Sequence, residues 1–173
     1  MDPHRHFQTL ARYNAWATQA LIAALEPVSE ADYRRDCGLF FKSIHGTLNH
    51  LLLAEHRLWR VRFQGDVPQI ASLAQEVEAD RAALASALVL EAQAWMPLIA
   101  AWDAARFDGV LRYTTLRGTG QSLPFAATLA HVFNHSTHHR GQITAAMTAM
   151  GHPAPELDMV YMLQAQAPAH SNH

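Results

Sequence analysis

Cysteine is almost missing from this chain of 173 residues: Cys37 stands alone, so no disulfide can form within it. Several catalytic signatures are missing too. There is no Gly-x-Ser-x-Gly elbow and no phosphate-binding glycine loop, which removes the usual marks of a serine hydrolase or nucleotide-binding fold. No Glu-x-x-His occurs, so the di-iron bundle pattern is absent. No His-Glu-x-x-His offers a zinc-binding pair with its adjacent base. Charge is sparse, at 16% of residues with a formal net of -2, and the basic residues are scattered. That argues against a nucleic-acid surface. The apolar runs read as too short to span a bilayer, and the polar start Met1-Asp2-Pro3-His4-Arg5-His6 lacks a signal-peptide pattern. The expectation is a soluble cytoplasmic protein with neither nucleic-acid nor membrane partners.

Half of the residues are hydrophobic, enough for one substantial core, and the length fits a single domain over residues 1–173. Four long helical patterns dominate. The first covers about Pro3 to Leu25, with Phe7, Leu10, Ala11, Ala17, Leu21 and Leu25 at helical spacing and Asn14 inside the stripe. The second runs from an N-cap at Ser43 to about Phe63. The third is expected from about Ser72 to Trp102, kinked by Pro97. Val110 to Leu123 reads as a small hairpin turning at Arg117-Gly118-Thr119-Gly120. The fourth helix follows from about Pro124 to Met150 and stops at Gly151-His152-Pro153. A short helix from about Glu156 to Gln164 precedes a polar tail from about residue 166. The expected fold is all-α, a four-helix bundle whose long third connection, carrying the hairpin, allows a crossover.

Chemistry concentrates in His131-Val132-Phe133-Asn134-His135-Ser136-Thr137-His138-His139-Arg140-Gly141-Gln142. Residues four apart sit one above the other on a helix, so His135 and His139 can aim at one point. At about 100° per residue, His139 lies about 40° and His135 about 80° from the centre of the apolar stripe. His131 and His138 lie farther round, which makes them and Gln142 candidates for outer-shell or solvated positions. On the second helix, His45, Asn49 and His56 share an arc that reads as solvated. His50 shares another with Gly46 and Ala54, small residues that would admit a neighbouring helix, and is the best third ligand by pattern. Glu55 falls within the apolar stripe and needs a partner, either a histidine N–H of an outer shell or an arginine. A histidine-rich solvated face has the same spacing as a ligand pair, so spacing alone does not decide between them.

Several segments together resemble the DinB/YfiT-like family. They are Tyr13-Asn14-Ala15-Trp16-Ala17; Ser43-Ile44-His45-Gly46-Thr47-Leu48-Asn49-His50-Leu51 with Ala54-Glu55 and Trp59; His131 to His135 with His138 to Ile143; and Pro155-Glu156-Leu157-Asp158-Met159-Val160-Tyr161. Thr18 departs from the first-helix signature, which often carries Asn there. The resemblance implies a bundle with crossed helix order, commonly a homodimer. It also implies one divalent metal on three histidines, which map to His50, His135 and His139. Zinc or nickel suits such ligands first, with iron or manganese as further candidates.

Three neutral imidazoles leave a divalent ion its full charge and an open position, as in catalytic sites. Two readings follow. One is a metal-dependent enzyme, a thiol S-transferase or hydrolase acting on a small electrophile, with a low-molecular-weight thiol as cosubstrate by analogy with the wider family. The other is a stress-linked metal-binding or interaction protein without turnover, since no nucleophile or general base is identifiable. Glu55, His131, His138 and Asp158 are candidate bases that sequence does not place, and Cys37 reads as structural. Trp16 is a candidate interface anchor.

Overall fold

A computed structural model describes residues 2–167. Helix α1 spans Pro3–Leu25; the Asp2 side chain accepts from the His4 N–H at 3.0 Å and Pro3 opens the first turn, where a missing N–H costs nothing. The short α2, Glu30–Arg34, is capped by Ser29. Helix α3, Ile44–Leu51, begins at Ser43, whose hydroxyl accepts from the Gly46 N–H at 3.0 Å. It runs on through a π-helical segment, Leu52–Trp59, into α4, Arg60–Gln64, and stops at Gly65 with φ 92°. Then come α5 (Arg81–Gln93), α6 (Trp95–Ala100) and a 3-10 turn (Ala104–Asp108). Strands β1 (Val110–Thr114) and β2 (Gly120–Pro124) pair antiparallel from Val110↔Pro124 to Thr114↔Gly120. Helix α7 spans Phe125–Ala149, with Gly151 just beyond it at φ 82°, and α8 spans Met159–Gln166. The structure is thus mostly helical with one small two-stranded sheet. The expected tail falls largely on residues 168–173, outside the described residues.

Helix α1 packs against α5, α6 and α7, and α3 packs against α5 and α7. One part of the core is aromatic: Phe63 and Trp102 both meet Phe125 edge-on at 5.0 Å, contacts worth about 0.5–1.5 kcal/mol each beyond their buried area. Another part is aliphatic and joins Leu21, Ile44, Leu48, Leu84, Leu88 and Ile143.

The third helical pattern is corrected: residues 72–80 are not helical. The side chain of Asn49 holds them instead. Its Oδ1 accepts from the Val77 and Glu78 N–H groups at 2.8 and 2.9 Å, and its Nδ2 donates to the Glu78 carbonyl at 2.9 Å. These main-chain groups are satisfied without a helix, and Asp80 caps the real start by accepting from the Ala83 N–H. The break expected near Pro97 falls at Ala94, because Pro97 has no N–H to offer the carbonyl four residues earlier. The arc of His45, Asn49 and His56 is also corrected. All three are buried: Asn49 lies under segment 77–78 and the ring of His45 meets Tyr33 at 5.5 Å.

Membrane length is a further correction. Residues Arg81–Ala100 are long and apolar enough by composition to cross a bilayer. Four leucines, a valine and an isoleucine supply most of that apolar character, and 28% of the most apolar stretch is buried. The buried positions Leu84, Leu88, Ala92, Trp95 and Ile99 serve the core.

Asn14 and Glu55, each in need of a partner, find one another. The Asn14 Nδ2 donates to Glu55 Oε2 at 3.1 Å, and Arg140 Nη1 donates to Asn14 Oδ1 at 2.5 Å. Burial pushes the Glu55 carboxyl up, with Arg140, Ser136 and Asn14 pulling it back.

Beside it, His56 is buried, and its Nδ1 has no partner. Burial, then the charges of Arg60 and Arg57, push its pKa from 6.5 down to about 3. Between those values the unfolded chain binds a proton that the folded chain refuses, so stability falls as pH drops. Urea denaturation should therefore show a lower unfolding free energy at pH 5 than at pH 7. The difference should shrink in His56→Leu; an unchanged difference would assign the acid sensitivity to other groups.

Candidate metal centre

Three rings converge where the helix of residues 44–64 faces α7. His50 Nε2 lies 3.2 Å from His135 Nε2, and His139 Nε2 lies 3.1 Å from the same atom. One nitrogen from each ring falls within 4.8 Å of the others. His50 and His139 are buried and His135 is partly so.

The outer nitrogens decide what the inner ones offer. His50 Nδ1–H donates to the Leu73 carbonyl at 2.9 Å, and a carbonyl only accepts, so Nε2 of His50 presents a lone pair. His139 Nδ1–H donates to Gln142 Oε1 at 2.8 Å, which leaves its Nε2 likewise bare. The Nε2 of His135 faces both, and one proton there cannot serve two lone pairs fully. Its Nδ1 is buried without a partner. An ion on all three Nε2 atoms resolves the conflict. At Zn–N bonds of 2.0–2.1 Å, tetrahedral ligands stand about 3.3 Å apart, close to the spacings found. The donor set fits a transition metal.

Protonation favours the same state. Burial, followed by repulsion from the neighbouring rings, drives His135 down to about 3. Burial drives His139 down to about 4 against the pull of Gln142, and lowers His50 as well. All three rings are neutral at pH 7, the form that binds metals.

The remaining candidates spread out. Gln142 orients His139. His131 is exposed, its ring centroid 5.7 Å from that of His135. His138 is exposed beside His139 at 5.1 Å. Glu55 turns to Asn14, toward α1. Cys37 is free and bonds the Lys42 carbonyl. Trp16 is partly buried against the small cluster of Tyr13 and Met162.

Two contributors had no sequence signal strong enough to find them. Phe41 stacks on His50 at 3.8 Å and 17°, and touches His139 at 5.7 Å. Leu73 acts through its carbonyl, invisible in any side-chain pattern. Asn49, a poor helix former in mid-helix, was the available hint that the loop folds back here. Gly46 admits no helix, contrary to its reading as a small-residue contact. A Cβ there would stand 2.2 Å from the Phe41 carbonyl oxygen, so glycine is required for the Phe41 turn to reach the site. Lys42 completes the turn in the left-handed region at φ 68°.

A cavity of about 610 Å³ opens onto the cluster, lined by His50, His135, His131, Ala54, Trp59 and Arg62 among others. A larger one of about 800 Å³, beside Ile22, Leu25, Val89 and Leu90, has no histidine or cysteine in its lining.

Fold and site together define a mostly helical protein with a three-histidine cluster able to hold a metal ion. The chain matches the sequence model described as DinB family over residues 1–170, and it belongs to that family. Neither the curated proteins nor the solved structures contain a significant match to it.

Gly46→Ala should destabilise the protein by about 1–3 kcal/mol, the usual range for overpacking. Chemical denaturation measures this, and an unchanged midpoint would show that the Phe41 turn can move aside.

Proposed function

We propose that His50, His135 and His139 hold one divalent transition metal, zinc or nickel by preference, and that the chain is a metal-dependent enzyme acting on a small electrophile by thiol S-transfer or hydrolysis. The convergence of three ring nitrogens, with Nε2 of His50 and of His139 each 3.1–3.2 Å from Nε2 of His135, carries this reading. We read the packing of α1 and of the 44–64 helix, each against α5 and α7, as a four-helix bundle with crossed order, and expect a homodimer.

Such an ion, when bound, supplies Lewis acidity that brings a water or thiol toward deprotonation near neutral pH. The chain's own residues prepare the place. The Leu73 carbonyl and Gln142 fix the tautomers of His50 and His139, as outer partners do in metal sites generally. Phe41 closes one side by stacking on the His50 ring. The cavity gives access past Ala54. We assign proton transfer in this cavity to His131, exposed at its lining and next to His135.

A non-catalytic, stress-linked metal-binding role has one observation on its side. Glu55, the buried carboxylate nearest in sequence to His50, turns away to Asn14 and supplies no base.

The purified protein should carry about one metal per chain, measured by elemental analysis, and His135→Ala should lose both the metal and any thiol conjugation or hydrolysis. Full activity in that variant would refute the assignment. Robust metal uptake with no turnover across a panel of thiols and electrophiles would favour the non-catalytic role. Metal at a hundredfold excess over its Kd should raise the unfolding free energy by about 2.7 kcal/mol, and a chelator should reverse the gain.

A further inference from the structure

Arg62 is a buried cation without a counterion. It is 6% exposed, and no carboxylate lies within ion-pair distance of it among the described residues. Its Nε has no partner, and Nη2 makes a long hydrogen bond of 3.3 Å to the Thr114 carbonyl. The guanidinium lies over Tyr113 at 4.1 Å and Trp59 at 4.9 Å. Cation–π contacts offset part of the cost of desolvation but leave donors of the fork unused. An unpaired buried charge is expensive to keep, and burial pulls the Arg62 pKa down accordingly. Arg62 lines the same cavity as His50 and His135, and Arg117 lines it from the hairpin turn.

The π segment explains how one cavity reaches both ends. Twelve residues of α-helix separate two positions by three turns plus about 120°. A wider turn absorbs about one extra residue, or about 100°. His50 and Arg62, on either side of Leu52–Trp59, are thereby brought to nearly the same face. Ala54 and Leu58 line the cavity between them.

We propose that Arg62 is the recognition residue for a carboxylate on the substrate, held at one end of the cavity while the reacting group sits at the His50–His135 end. The second half rests on the metal-site reading above. A carboxylate suits the planar fork, which can bind it bidentately, and the aromatic pair fixes the fork in place.

Cobalt(II) as the added metal separates the two parts. Its visible bands report occupancy of the histidines, and a sulfur-to-cobalt band reports thiol binding. ω-Mercaptocarboxylic acids of increasing length are titrated against ω-mercaptoalcohols of matched length. The acids should bind about tenfold more tightly at a favoured length, the worth of one charge-assisted hydrogen bond. Arg62→Met should abolish that preference with the cobalt bands unchanged, and Arg62→Lys should retain part of it. Equal binding of acids and alcohols by the native protein, or a preference that survives Arg62→Met, overturns the proposal while the cobalt bands still support the metal site. Orthophosphate competing better than acetate overturns the choice of carboxylate. A native protein that takes up no cobalt overturns the metal reading and the placement of the reacting group. The carboxylate end is then read by calorimetry with alkanoates on native protein and Arg62→Met, where equal binding overturns it too.

Discussion

A single side-chain amide ties together the two helices that carry the histidines. Asn14 on α1 gives its N–H to Glu55 and takes one from Arg140. Glu55 follows His50 by five residues, and Arg140 adjoins His139. All three members of this knot are buried, where leaving any polar atom unmade costs about 1–3 kcal/mol. Rotation of either helix would break it. The knot therefore fixes the relative roll of two helices that crowd three imidazole Nε2 atoms together, an arrangement electrostatics alone would push apart.

Much of this was legible in the chain, and the reason is periodicity. The extents of α1, α7 and the hairpin follow from stripes, caps and turn residues read locally. The i,i+4 relation of His135 and His139 is a property of one helix, whereas the arc of His50 with Gly46 and Ala54 did not decide its role, and the set of three came from the resemblance to the DinB/YfiT-like family. Asn14 and Glu55 were recognisable as buried polar residues in want of partners. What periodicity could not supply was anything requiring two segments at once. Asn49 looked solvated because nothing on its own helix marks the segment 77–78 that covers it. Residues 72–80 looked helical because Leu73 and Val77 continue the spacing of the helix that follows, and three hydrogen bonds with one asparagine outweigh that pattern.

The π segment was equally hidden, since its residues are ordinary helix formers. Its effect is positional. It turns Trp59 and Arg62 round the axis, so the helix that carries His50 also furnishes the far wall of the cavity. Wide turns of this kind recur at functional sites, and here the wide turn lies between the His50 end of the cavity and its cationic end.

The contact between His50 and Leu73 has a consequence for how this protein can vary. The proton on the outer nitrogen is fixed by a main-chain oxygen, which every amino acid at position 73 would provide. Point mutation of the loop leaves that acceptor in place, whereas gaining or losing one residue between Leu73 and Val77, whose N–H Asn49 holds, would slide it out of reach. Sequence drift in this short stretch is thus tolerated by composition and forbidden by length.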